Sequence, residues 1–290
     1  MDFLVQKLAI FGPGLLGGSL AGAARRHGVA GEIRVWGRRR EVAEQVAARG
    51  WADFASDDVA EVAAGTDLIV LATPVGVMPA LAGQIVAAKD RLPAEVIVTD
   101  VGSVKGFVAE KVAPIFDGAG LTFIGSHPMA GAETAGFAAA RDTLFDGAAC
   151  ILTPHAASIE RLKIFWQRLG CRLFTMDPAA HDAAIAQVSH LPHLAASAVA
   201  LAALADGPER GALAGGGLRD TTRVASGDAG LWTEILLENR QALEAPLEAL
   251  IARLGEALDF LRRGDEGPLR HFLTEAKRLR DLAFDPTTHG

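Results

Sequence analysis

The sequence predicts an α/β domain built on a parallel sheet, followed by an all-α domain. Three observations lead there. Short apolar runs alternate with helical spacing through the first 175 residues, a glycine-rich turn directly follows the first run, and beyond residue 176 no strong strand signal remains. Residues 1–175 and 176–290 are therefore read as two domains, which a chain of 290 residues is long enough to supply.

In chain order, Lys7–Phe11 reads as a strand that ends at Gly12-Pro13-Gly14, and Leu15–His27 as a helix. Glu32–Trp36 and Glu41–Arg49 repeat the pattern. Asp67–Leu71, Val96–Thr99, Thr122–Ile124, Ala148–Leu152 and Arg172–Thr175 are further strands. Asp177-Pro178 then starts a helix, with Asp as N-cap and Pro in the first turn, that runs to the Asp206-Gly207-Pro208 stop. Trp232–Gly255 and Leu269–Leu282 continue the helical series.

Half of the residues are apolar and 22% charged, the balance of a globular protein and not of a disordered or collagen-like chain. A net charge of −7 argues against a nucleic-acid or anionic-membrane binder, because both call for a basic surface. Split at the domain boundary, that charge is −1 before and −6 after, so small anions must be held by local cations: Arg38–Arg40 in the first part, Arg219 and Arg223 in the second. Cys150 and Cys171 make no disulfide framework and read as small core residues in a reducing compartment. The N-terminus has no charged leader. The apolar stretch Leu191–Ala205 is shorter than the ~18 residues of a membrane span. Both point to a cytoplasmic protein without a membrane partner.

Gly12-Pro13-Gly14-Leu15-Leu16-Gly17 is G-x-G-x-x-G at a strand-to-helix turn. Gly12 permits the tight turn, Gly14 lets backbone approach a pyrophosphate, and Gly17 allows close helix packing, so the first domain is Rossmann-type and binds a dinucleotide. The second strand ends in Gly37-Arg38-Arg39-Arg40 with no acid before Glu41; Arg38 and Arg39 therefore favour NADP over NAD. Thr73-Pro74 follows the next central strand and faces the cofactor. Asp100-Val101-Gly102-Ser103-Val104-Lys105 and Ser126-His127-Pro128 also follow strands, where ligands of open α/β sheets sit. Pro128 biases His127 to an extended backbone, making it a candidate acid/base. His190 and His193 share one helix face across Pro192, which should kink the helix, and no carboxylate completes a metal site with them. Gly215–Arg223 combines flexible backbone with Arg219 and Arg223, a residue type suited to bidentate carboxylate binding.

These motifs, ordered over more than two hundred residues and followed by Trp232 and Glu238-Asn239, resemble the prephenate/arogenate dehydrogenase family of tyrosine biosynthesis. The resemblance implies NAD(P)-dependent oxidative decarboxylation of prephenate or arogenate, in a homodimer formed through the helical domain. It implies that His127 accepts the ring hydroxyl proton with Ser103 orienting it, and that Arg223 holds a substrate carboxylate. It places His190, His193, His181 and Gly216 around the substrate. Two other readings compete: a β-hydroxyacid dehydrogenase, and a non-catalytic dinucleotide-sensing regulator. The first would call for a catalytic Lys in the helical part, where the sequence has only Lys277.

Overall fold

The computed structural model describes residues 4–132, 134–154 and 159–285. They form two compact units, Met1–Arg240 and Gln241–Gly290. The change from strands to helices after Thr175 thus falls inside the first unit.

That unit is built on one eight-stranded sheet: β1 (Val5–Phe11), β2 (Ala30–Trp36), β3 (Phe54–Ser56), β4 (Leu68–Leu71), β5 (Ile97–Asp100), β6 (Thr122–Pro128), β7 (Ala149–Thr153) and β8 (Arg172–Thr175). Their spatial order is β3-β2-β1-β4-β5-β6-β7-β8. The crossover helices are α1 (Leu15–Arg26), α2 (Arg40–Ala48), α3 (Val59–Ala63), α4 (Met78–Ala87), α5 (Lys105–Lys111), α6 (Ala113–Asp117) and α7 (Glu160–Arg168). In β1, Leu8 and Ile10 enter the core on one face while Ala9 and Phe11 enter the core on the other. Burial on both faces is why the strand is a continuous apolar run instead of an alternating one.

Two features depart from the expected parallel sheet. β3 carries too few residues for a periodic signal. β6 runs on to Pro128, past the expected end at Ile124, because Gly125–Pro128 pair antiparallel with Cys150–Thr153 of β7. An antiparallel return needs no crossover helix, and among the described residues between these strands only the short turn Phe137–Ala139 is helical. The extension carries His127 beyond the parallel part of the sheet.

The chain continues into α8 (Pro178–Ile185), a π-helical turn (Ala186–His190) and α9 (Leu191–Leu204), one unbroken helical path. Pro192 stands in the first turn of α9, where it has no N–H to give to the preceding turn, and the wider π-turn lies directly upstream of it. By length and composition Pro178–Leu204 suffices to cross a membrane, unlike the shorter run considered from sequence. Its inner side buries His181, Asp182, His190 and His193.

α10 (Gly216–Thr222) and α11 (Ala229–Glu238) follow. The expected helix Trp232–Gly255 breaks at Asn239, which caps α11 with its amide turned inward. Beyond it run α12 (Arg240–Arg263) and α13 (Glu266–Ala283). On α12, Ile251, Leu254, Leu258 and Leu261 form one apolar stripe at helical spacing, all of them exposed.

Candidate active site

A cavity of about 550 Å³ opens at the carboxyl ends of β1, β4, β5 and β6. Gly14, Leu15 and Leu16 form one part of its wall, Thr73, Pro74 and Ser103 another, and His127, His190 and Trp232 a third.

The glycine turn is shaped by sterics. Gly12 has φ +117°, and a Cβ there would lie 2.5 Å from the Ala72 carbonyl oxygen. At Gly17 a Cβ would lie 1.9 Å from the Gly12 oxygen, so α1 can seat against the turn only without a side chain. Gly14 differs: the space beyond it is open, and as N-cap of α1 it makes no side-chain hydrogen bond. The first-turn N–H groups of α1 are left available to an anion. Nearby, the buried Thr73 hydroxyl on the cavity wall has no hydrogen-bond partner. Open space at Gly14, uncapped donors and an unsatisfied hydroxyl together fit a bound dinucleotide. At the end of β2, Arg38 and Arg39 are exposed and their guanidinium groups make no hydrogen bond to any described residue, whereas Arg40 pairs with Glu44.

His127 projects from the antiparallel extension of β6. Its Nδ1 lies 2.8 Å from His181 Nε2, and His181 Nδ1 lies 2.7 Å from Asp182 Oδ1. Ser103, expected to orient His127, makes no hydrogen bond to it among the described residues; the His127 Nδ1 position is taken by His181. Ser103 instead shares the cavity wall with it. Beneath them Lys105, expected near the chemistry, is fully buried and ion-paired with Asp100. Asp100 also accepts the N–H of Ser126 at 3.1 Å and that of Gly102 at 2.8 Å. Burial, followed by the neighbouring His181, Lys105 and His190, holds the His127 imidazole well below the usual histidine pKa. Burial likewise lowers His181, against the opposing pull of Asp182. Both rings are neutral near pH 7.

Beside the wall residue His190, the buried Asn239 amide nitrogen stands 2.9 Å from the Asp182 carbonyl oxygen and 3.0 Å from His190 Nδ1. An amide nitrogen only donates, so His190 Nδ1 accepts and its proton resides on Nε2. That Nε2 is buried without a partner. Burial takes the pKa of His190 down to about 4, leaving a neutral donor on the cavity wall.

Of the expected substrate residues only His190 lines the cavity; His181 is bonded to His127, and three others stand off the wall. His193 stacks on Trp232, with ring centroids 3.6 Å apart, and stands behind that indole, off the cavity wall. Gly227 admits the indole: a Cβ there would be 2.4 Å from Trp232 Nε1. Gly216 opens α10 at an exposed position away from the cavity. Arg223 is also exposed, at the start of the turn Arg223–Ser226 that leads to Gly227 and Asp228 of the wall. Sequence reasoning missed Asp182 and the role of Asn239; apart from the adjacent His181, their partners lie 49 to 77 residues away in the chain, and no local spacing reports that.

Two family models match this chain: "Prephenate dehydrogenase, nucleotide-binding domain" over residues 20–175 and "Prephenate dehydrogenase, dimerization domain" over residues 177–275. Prephenate dehydrogenase of Lactococcus lactis is 32% identical over 282 residues, 95% of this chain and 77% of the relative. Cyclohexadienyl dehydrogenase of Zymomonas mobilis is 30% identical, with 95% of each chain covered. Among solved structures, Aquifex aeolicus prephenate dehydrogenase in complex with hydroxyphenyl propionate and NAD+ superposes with a TM-score of 0.82 at 30% identity, covering 95% of this chain and 97% of that one. Synechocystis arogenate dehydrogenase does so with 0.78 at 30% identity, covering 96% and 100%.

Proposed function

This chain belongs to the prephenate dehydrogenase family, and from that premise we propose how its residues carry out the NAD(P)-dependent oxidative decarboxylation of prephenate or arogenate. The observation that carries the proposal is His127, whose Nδ1 is taken by His181 while the ring itself lines the cavity. Its Nε2 lone pair then faces the substrate and accepts the 4-hydroxyl proton.

The dinucleotide, when bound, supplies the hydride acceptor. Gly12, Gly14, Leu15, Leu16 and Gly17 would hold its pyrophosphate on the first turn of α1, and Thr73 and Pro74 would border its nicotinamide half. Ser103, beside His127, would hydrogen-bond the substrate hydroxyl. His190 would donate Nε2–H to a substrate oxygen, and Arg223 would meet a carboxylate at the outer end of the cavity. Loss of CO2 makes the ring aromatic and the step irreversible, so the residues chiefly position the substrate and manage one proton.

NADP is the proposed cofactor, with Arg38 and Arg39 holding the 2′-phosphate. The test crosses prephenate and arogenate with NAD and NADP in initial-rate assays, on the wild type and on Arg39→Ser. The variant should lose about 10-fold or more in kcat/KM for NADP, a change near 1.4 kcal/mol, and keep its value for NAD. Equal losses with both cofactors would overturn the 2′-phosphate assignment.

Residues 1–175 would form the dinucleotide-binding domain and 176–290 the substrate-binding and dimerisation domain. The exposed stripe Ile251, Leu254, Leu258 and Leu261 supports homodimerisation through the helical part, since so long an apolar stripe needs cover. Light scattering should give twice the chain mass for the wild type and a smaller particle for the pair Leu254→Glu and Leu258→Glu. A variant as dimeric as the wild type would rule the stripe out. The proposed compartment is the cytoplasm, where the free thiols of Cys150 and Cys171 stay reduced.

A further inference from the structure

Behind His127 the hydrogen bonds lead away from the cavity to a carboxylate that the chemistry above does not use. Asp182 Oδ1 accepts the N–H of Lys105 at 2.8 Å and Oδ2 that of Gly106 at 2.7 Å. The seat is close-fitting: a Cβ on Gly106 would lie 2.6 Å from Oδ2. With two backbone donors already on it, the carboxylate takes a third from His181, so the His181 proton sits on Nδ1 and its Nε2 is an acceptor. His127 must then donate from Nδ1, and its lone pair is on Nε2. One carboxylate thereby sets the tautomer of two rings.

Resting on the reading of His127 as the base, we propose that His181 and Asp182 are positioning residues of a two-ring proton relay. The substrate hydroxyl proton bonds to His127 Nε2 as its O–H bond breaks, and the N–H bond at His127 Nδ1 breaks as that proton passes to His181 Nε2. No electrons are exchanged in these transfers. His127 ends neutral as its other tautomer, and His181 ends as an imidazolium against Asp182. The charge thus comes to rest one ring further from the dinucleotide and substrate.

The surrounding charges favour that end point. Lys105 of α5 acts on both rings and opposes a cation on either, while His190 of the π-turn, held neutral near pH 7, adds no charge of its own. Asp182 of α8 and Asp100 of β5 favour a cation on His181. His127 has no comparable carboxylate among the groups acting on it.

His181→Gln separates a relay from a brace, because a glutamine carbonyl can still accept from His127 Nδ1 but cannot take its proton on. It also leaves Asp182 on its backbone seat, whereas Asp182→Asn faces an amide against a backbone N–H and can disturb α5. The relay predicts that His181→Gln lowers kcat at least tenfold with KM within threefold. The Asp182→Asn variant, if folded, should show the same loss with the acid limb of kcat moved to lower pH. Nitrogen NMR of 15N-histidine-labelled wild type should show His127 protonated on Nδ1. Turnover of His181→Gln within twofold of wild type with an unmoved acid limb, or a resting His127 protonated on Nε2, would overturn the relay. His127→Asn measured in parallel keeps the two readings apart: if it is inactive while both relay variants turn over normally, only the relay fails, and if it turns over normally the base assignment itself fails.

Discussion

Replacing His127 by Asn should lower kcat by about 10²–10⁴-fold, the range a positioned general base contributes, with a much smaller change in KM. Asparagine keeps a polar side chain at the end of β6 but has no basic nitrogen for the hydroxyl proton. The loss should therefore appear in the chemical step. In the wild type the same residue should give kcat an acid limb. His127 is held well below the usual value of 6.5, chiefly by burial, so it is neutral at pH 7 and becomes protonated only as pH falls below its lowered pKa. Activity is then present above that pKa and lost on acidification through it, with the half-point below 6.5. Steady-state rates from pH 4 to 9 at saturating substrate check both statements. Near-normal turnover by His127→Asn would remove His127 from the mechanism.

The second large effect is expected at the glycine turn, where two glycines do different work. Gly17→Ala would put a methyl 1.9 Å from the Gly12 carbonyl oxygen, a backbone atom that no rotamer change can move. α1 must back away from the turn, at a cost of about 1–3 kcal/mol or more for overpacking, and the cradle for the pyrophosphate is spread. Both the melting temperature and the dinucleotide affinity should fall. Gly14→Ala, whose Cβ meets nothing within 4 Å, should melt like the wild type and lose only affinity, because its methyl occupies ligand space. Thermal melts and cofactor titration by calorimetry read the two quantities separately. A Gly17→Ala protein with wild-type melting and affinity would refute the steric account.

Much of the first unit was legible because its signals are local. An apolar run followed by Gly12 and Gly14 specifies a strand and a turn through φ/ψ sterics, and Asp177-Pro178 specifies a helix start through capping; in the structure the Asp177 side chain accepts the N–H of Ala180 at 2.9 Å. His127 was legible for a similar reason, since Pro128 holds it in extended backbone at a strand end. Less of the site could be read. Ser103 adjoins the cavity as expected, but its supposed partner is bound to His181, 54 residues further along. His190 and His193, one turn apart, meet different fates: the first is locked by Asn239 with a donor on the cavity wall, the second is stacked behind Trp232.

By itself the sequence determined the α/β-then-helical order, the glycine cradle, the basic end of β2 and the identity of the candidate base. These follow from backbone sterics and hydrophobic period, which act over a few residues. Only the tertiary structure decided that β6 runs on antiparallel to β7, that Lys105 is paired with Asp100 beneath the site, and which nitrogen of His127, His181 and His190 carries the proton. A tautomer depends on the donors and acceptors within 3 Å of a ring. For His127 and His190 those partners come from helices that lie far away in the chain and meet only when the core closes.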